Sequence, residues 1–154
     1  MNCLYSALIS ALPVVEIRGA IPYLIANGCP LYFIVICYVV GTLTGFLVYL
    51  FLEEILRIAR NILHKYWKGG LKILDKIVER AEKGAGPKVE KYGTLGLALF
   101  VAIPAPGTGV WTGAMAGYLL GLKKRDVLLA LALGNLGATI IVTLLSLGAA
   151  KAVA

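Results

Sequence analysis

The sequence contains little of what metal and hydrolytic chemistry require. It has one histidine and eight acidic residues in 154. The three cysteines, Cys3, Cys29 and Cys37, form no C-x-x-C pair and have no histidine or carboxylate cluster beside them. No G-x-S-x-G nucleophile motif is present either. We therefore predict no metal site, no cofactor and no enzyme activity, and we interpret the cysteines as apolar filler.

Charge is missing from long stretches of the chain. Hydrophobic residues make up 60% and charged residues 15%, which is too apolar for an ordinary soluble domain. Leu31–Leu52 is a run of 22 uncharged residues, and about 20 such residues span a bilayer core. Residues 128–150 form a second such run. We predict one all-α membrane domain over residues 1–154, in contact with the lipid bilayer and not with nucleic acid.

The charges that are present concentrate in residues 53–91, with ten basic and six acidic side chains. Apolar residues recur there at helical spacing, which predicts two amphipathic helices separated at Gly69-Gly70 and ended by Gly84-Ala85-Gly86-Pro87. Tyr66 and Trp67 beside lysines suit a membrane surface. A helical hairpin packed on its own protein fits the pattern equally well, and both readings stay open.

Two stretches interrupt the apolar runs. The first lies between Pro13 and Pro22, and the second is Pro104–Gly109. Residues 92–122 hold 31 uncharged residues, too many for one straight span and too few for two, since two spans need about 40 residues. We predict a re-entrant hairpin there, with half-helices before and after the break. The hairpin also keeps Lys123-Lys124-Arg125 on the same side as the basic linker.

This reading defines an inverted repeat. Repeat one covers residues 1–52, the amphipathic linker residues 53–91 and repeat two residues 92–154, with matching residues at an offset of 93. Each repeat has a re-entrant hairpin followed by a transmembrane helix, a transporter signature. Positive residues favour the cytoplasm, so the linker is predicted to be cytoplasmic in a multi-pass plasma-membrane protein. Both termini and the Asn27-Gly28-Cys29 turn are predicted to lie outside.

The stretch Glu16–Pro22, followed by the Pro104–Gly109 break, resembles the small multidrug export membrane proteins over most of the chain. Pro106-Gly107, Ala116-Gly117 and Asn135-x-Gly137-Ala138 are similar to the second re-entrant motif of the DedA (VTT-domain) superfamily. Members of that superfamily include lipid scramblases and polyisoprenyl-phosphate carriers. This chain departs from the superfamily pattern at Gly109, where the pattern has an Arg. The resemblance therefore leaves Arg18 alone to take a phosphate-binding role.

We predict a membrane transporter with a DedA-like fold that moves a small amphipathic or lipid-linked substrate, as an exporter or a lipid-phosphate flippase. Charged residues inside a membrane are costly and mark functional sites. Arg18 and helix N-termini near Ile21 and Val110 could hold an anionic group, and Glu16 could carry a proton. The candidate substrate or proton-coupling residues are Glu16, Arg18, Pro106, Gly107, Thr108, Gly109, Trp111, Thr112 and Asn135.

The alternative is a structural or assembly membrane protein that transports nothing. In that case Glu16 and Arg18 form an ion pair that holds the two hairpins together, and Trp111 and Asn135 serve packing. A glycine at every fourth position from Gly109 to Gly121 gives one half-helix a smooth face. Such faces allow close contact between helices. Two spans alone also form only a thin wall around a cavity, so we predict a homo-oligomer, most simply a dimer.

Overall fold

A computed structural model describes residues 3–153, and every element in that range is helical. This range contains seven α-helices, with two short helices and one long helix on each side of the central helix α4. They are α1 (Leu4–Ser10), α2 (Glu16–Ala26), α3 (Tyr32–Tyr66), α4 (Lys68–Tyr92), α5 (Thr94–Ala102), α6 (Val110–Leu119) and α7 (Lys124–Val153). The all-helical class predicted from composition is confirmed.

Two helices, α3 and α7, are long and apolar enough to cross a membrane, with 35 and 30 residues. Both keep large apolar side chains on the surface, which a water-facing protein rarely does over so large an area. On α3 these are Val35, Val39, Leu43, Leu47, Leu50 and Phe51, and on α7 Leu129, Leu133, Leu136, Ile140, Leu144 and Leu145. The two spans predicted from the uncharged runs therefore correspond to these helices.

The linker differs from its prediction. The first amphipathic segment continues α3 without interruption, and the chain turns at Trp67 instead of Gly69-Gly70. Helix α4 then runs through the Gly84–Pro87 stretch, so the predicted end there is wrong. Pro87 removes one backbone N–H donor from α4. It lies on an exposed part of the helix, and the helix continues on both sides of it.

Helix α4 packs on its own protein. Ala81 and Ala85 are fully buried in the main apolar cluster, together with Leu52 of α3 and Phe100 of α5. Its charged residues face outwards, including the exposed Glu79–Lys83 pair. Of the two readings that the sequence left open, packing therefore holds for α4. Tyr66 and Trp67, by contrast, stay exposed at the α3–α4 turn.

Each half of the chain contains two short helices separated by a break. The second break falls between α5 and α6, where Pro104–Gly109 predicted it. The first break spans residues 11–15, and α2 begins at Glu16 instead of near Ile21. Pro22 lies inside α2. Glu16 and Arg18 thus belong to the first turn of a helix and not to the break itself.

The interpretation of all three cysteines as filler is wrong. Cys3, at the start of α1, forms a disulfide bond with Cys29, in the turn after α2. Cys37 remains a buried thiol. Sequence spacing of 26 residues gave no indication of the pair, because only the return of α2 beside α1 brings the two together. Disulfide bonds persist in oxidising compartments, which bears on the orientation of this end of the molecule.

Candidate functional site

Glu16 opens helix α2 with an unusual backbone. Its φ of 48° is the one positive value at a residue other than glycine among residues 3–153. Such conformations cost of order 1–3 kcal/mol and persist where the surroundings enforce them. The side chain is 4% exposed. One carboxylate oxygen pairs with Arg18 Nη1 at 2.7 Å, and the other accepts the Trp111 backbone N–H at 3.3 Å.

Arg18 joins the first hairpin to the second break. Its Nη2 donates to the backbone carbonyls of Ile103 at 2.8 Å and Val101 at 3.1 Å. The same nitrogen also contacts the carbonyl of Thr108 and the hydroxyl of Thr108 at 3.2 Å. Carbonyls that the break frees from helical bonding therefore solvate the guanidinium. Arg18 Nε is buried and has no partner in the described chain.

Gly109 is required by the position of Glu16. A Cβ built at Gly109 would overlap the carboxylate of Glu16, so the carboxylate occupies the space of a side chain. A side chain at position 109 would therefore require the Glu16 carboxylate to move.

The N-terminus of α6 begins near Val110 as predicted, but it is already occupied. The Trp111 N–H points at the Glu16 carboxylate, which takes the place of the anionic substrate group that we expected there. The corresponding start near Ile21 is not a helix terminus at all. Neither of the two predicted positions therefore offers a free helix N-terminus to an anion in this conformation.

A cavity of about 430 Å³ lies between the two breaks and α4, which we call the linker-side cavity. It brings together most of the predicted site residues, and one wall comes from Ile77 of α4. The predicted residues that line it are Glu16, Arg18, Pro106, Gly107, Thr108, Gly109, Trp111 and Thr112. Among its lining side chains, Trp111 carries a buried Nε1 without a partner in residues 3–153.

Asn135 does not belong to this cavity. Its amide donates to the Thr42 hydroxyl at 2.9 Å and to the Tyr38 carbonyl at 3.4 Å, between α7 and α3. The side chain is buried, and a polar group buried between two apolar helices needs such partners. In this structure Asn135 does not line the cavity, and its contacts fit a packing role between α3 and α7.

A second, larger space was missed by the sequence reasoning. This groove of about 810 Å³, the disulfide-side groove, lies between the end of α2 and the last turns of α7. Arg18 and Pro104 form its inner end. Its walls are Pro22, Ile25, Ala26, Val142, Leu145, Ser146, Ala149, Ala150 and Val153. The spacing on α7 is helical, but the same spacing fits a lipid-facing helix and gives no separate signal.

No group of three or more His, Cys, Asp or Glu side chains that could hold a metal ion occurs within residues 3–153. His64 is exposed on the last turn of α3. The polar groups of the site are thus one ion pair, the backbone carbonyls that accept from Arg18, two donors without a partner in the described residues and the hydroxyls of Thr108 and Thr112.

Two membrane-length apolar helices, and a buried ion pair on α2 that lies against the second break, define the class of small helical membrane proteins. Residues 16–141 match the model of a family described as "Putative small multi-drug export protein", and the chain belongs to this family. The match supports a membrane exporter and describes no enzyme. No curated protein and no solved structure matches the chain.

Proposed function

We propose that the protein is a transporter whose route passes Arg18. The observation that carries this proposal is that Arg18 lines both spaces, the linker-side cavity and the disulfide-side groove. Between them, the guanidinium and Glu16 close the gap from α2 to the second break. The Glu16–Arg18 pair is then a gate between the linker-side cavity and the disulfide-side groove. A pair with a purely structural role would need neither of these spaces.

An inverted repeat with re-entrant hairpins is supported by contacts between corresponding residues. Thr42 and Asn135 are 93 positions apart and hydrogen-bond each other at 2.9 Å. Glu16 and Gly109 are also 93 positions apart, and the Glu16 carboxylate fills the side-chain position of Gly109. Residues related by a two-fold axis meet each other only on that axis. Two such pairs favour a two-fold relation between the halves, as in many transporters.

The disulfide bond supports the orientation. Because disulfides persist in oxidising compartments, the Cys3–Cys29 end faces outwards and the basic linker faces the cytoplasm of a plasma-membrane protein. The linker-side cavity then lies on the cytoplasmic side, and the disulfide-side groove opens towards the outside and the outer leaflet. An exporter needs access from one side and release on the other, and this arrangement places one space on each side of the pair.

The gate opens when Arg18 leaves the carbonyls of Ile103 and Thr108. A proton on Glu16 neutralises its carboxylate and weakens the bond to Arg18, which would couple opening to protonation. An anionic or hydrogen-bond-accepting group of the substrate replaces these acceptors, while its apolar part lies in the disulfide-side groove. This chemistry suits a small amphipathic or lipid-linked molecule, moved by an exporter or a flippase of DedA-like fold.

Reconstituted vesicles test the proposal. Vesicles of phosphatidylcholine and phosphatidylglycerol are loaded with the anionic dye carboxyfluorescein for export, or carry fluorescent phosphatidylglycerol for lipid movement. We expect Arg18→Leu and Glu16→Gln to lower transport of at least one probe more than tenfold. The exposed Glu54–Arg57 pair provides the control, since Arg57→Leu should leave transport unchanged. A double variant, Glu16→Gln with Arg18→Leu, that is stable and transports normally would establish the structural alternative instead.

A homo-oligomer is also proposed, because the exposed apolar faces of α3 and α7 give one chain a thin wall. Native mass spectrometry in mild detergent should then show a dimer. Monomer at every protein concentration would contradict this part of the proposal without affecting the gate.

A further inference from the structure

The disulfide-side groove has a counterpart in the other half of the chain. Its α7 wall contains Val142, Leu145 and Ala149. The residues 93 positions earlier are Tyr49, Leu52 and Leu56 of α3. In the same way Pro22 of α2 corresponds to Met115 of α6. If the two halves are equivalent, these residues form the walls of a second groove on the linker side.

Helix α4 covers these counterpart walls. Ala81 and Ala85 of α4 belong to one apolar cluster with Tyr49, Leu52, Leu56 and Met115. Leu52 is 1% exposed, whereas its counterpart Leu145 is 62% exposed.

The cover also extends along the groove. Asp75 near the start of α4 pairs with Arg60, at 3.8 Å, and Arg60 corresponds to Val153 at the end of the open groove. Helix α4 therefore lies where an open groove would otherwise be. It lies between the repeats and occurs once, so nothing in the described chain covers the disulfide-side groove in the same way.

We propose that the chain has a second binding groove for the same class of amphipathic molecule, formed by α3 and α6, and that α4 is its lid. The inference rests on the proposed transport function and deepens it. In this structure the disulfide-side groove is open. The proposed groove between α3 and α6, which is distinct from the linker-side cavity, is closed by α4. The site is loaded from the linker side only when α4 moves away.

The contact of α4 with these walls suits a lid. Its buried side chains are two alanines, and apolar burial stabilises in proportion to the area removed from water. Alanines bury far less area than leucines would, and the outer face of α4 is charged and remains in solvent whether the lid is open or closed. Val89 packs half-buried against the same cluster, so moving α4 away uncovers these side chains together with Leu52 and Phe100.

A reversible cross-link tests the lid. Ile77 of α4 and Met115 of α6 line the same cavity. In a Cys37→Ser background, Ile77→Cys and Met115→Cys are joined by a short bifunctional thiosulfonate reagent, which holds α4 on α6. Carboxyfluorescein export from the vesicles should fall at least tenfold on cross-linking. It should return when a membrane-impermeant reductant is added on the linker side only, away from the Cys3–Cys29 bond. A matched control links Glu79→Cys to Lys83→Cys within α4, which leaves the lid free and should not slow export.

The outcomes separate the two proposals. Export by the cross-linked protein at the uncross-linked rate would overturn the lid and leave the transport function standing. Absence of transport of either probe by the unmodified protein would overturn the transport function. In that case the opening of α4 is tested by a measurement that does not depend on transport.

That measurement is thiol labelling in vesicles with a membrane-impermeant maleimide. Leu52→Cys should react from the linker side at a measurable rate, because α4 uncovers it transiently. Leu145→Cys, its counterpart in the open groove, should react faster and only from the disulfide side. Complete protection of Leu52→Cys for the lifetime of the folded protein would overturn the lid.

Discussion

Removing either member of the Glu16–Arg18 pair should have unequal consequences for stability. In Glu16→Gln, Arg18 keeps the carbonyls of Val101, Ile103 and Thr108 as acceptors. In Arg18→Leu, the Glu16 carboxylate loses its one charged partner among residues 3–153 and retains the 3.3 Å bond from Trp111 N–H. The two losses of stability differ because Arg18 has several other hydrogen-bond partners and Glu16 has few.

The magnitudes can be worked out from these partners. Breaking a buried ion pair by removing one member costs about 3–5 kcal/mol when the remaining charge is uncompensated. Glu16 meets that condition in Arg18→Leu, because it is 4% exposed. In Glu16→Gln the ion pair becomes a hydrogen bond from the charged guanidinium to a neutral amide oxygen, and we take the difference as about 1–1.5 kcal/mol. We therefore expect Arg18→Leu to be destabilised by roughly 1.5–4 kcal/mol more than Glu16→Gln.

Equilibrium unfolding in mixed micelles, titrated with sodium dodecyl sulfate and followed by tryptophan fluorescence, measures both free energies. The double variant Glu16→Gln with Arg18→Leu should recover most of the loss, since no charge is then left unpaired. Equal losses for the two single variants, or a larger loss for Glu16→Gln, would refute the reasoning, because Arg18 would then not be solvated by the break.

Three further predictions follow from other parts of the molecule. Gly109→Ala should destabilise the protein by about 1–3 kcal/mol through overlap with a carboxylate, whereas Gly148→Ala, whose Cβ meets nothing within 4 Å, should be neutral; equal unfolding midpoints would contradict the packing. Thiol labelling of single-cysteine variants in intact cells should report Lys124 on the cytoplasmic side and Asn27 outside, and finding both on one side would rule out a re-entrant second hairpin. Reducing the Cys3–Cys29 bond should lower the free energy of unfolding by roughly 3.5 kcal/mol, the loop-entropy value for its 26-residue separation, and an unchanged unfolding curve under reductant would contradict it.

Local chemistry explains which helices could be predicted. The uncharged runs indicate α3 and α7, since only long apolar helices satisfy their backbone groups without water. The second break is visible because Pro104 and Pro106 remove donors and Gly107 adopts a φ of 82°. Proline is weaker evidence for the end of a helix where tertiary packing compensates for the lost hydrogen bond. Pro22 and Pro87 lie inside α2 and α4, and both predicted boundaries there were wrong.

The sequence by itself determined that the chain is helical, where its apolar helices lie, and that Glu16 and Arg18 are the costly charges among them. Composition and periodicity act on neighbouring residues, so these features need no knowledge of the fold. Only the tertiary structure decided which groups those charges meet. The acceptors of Arg18, the contact of Glu16 with Gly109, the Cys3–Cys29 bond and the cover of α4 over α3 all join residues far apart in the chain. No local pattern encodes such contacts, because they exist only when the two hairpins and the linker pack together.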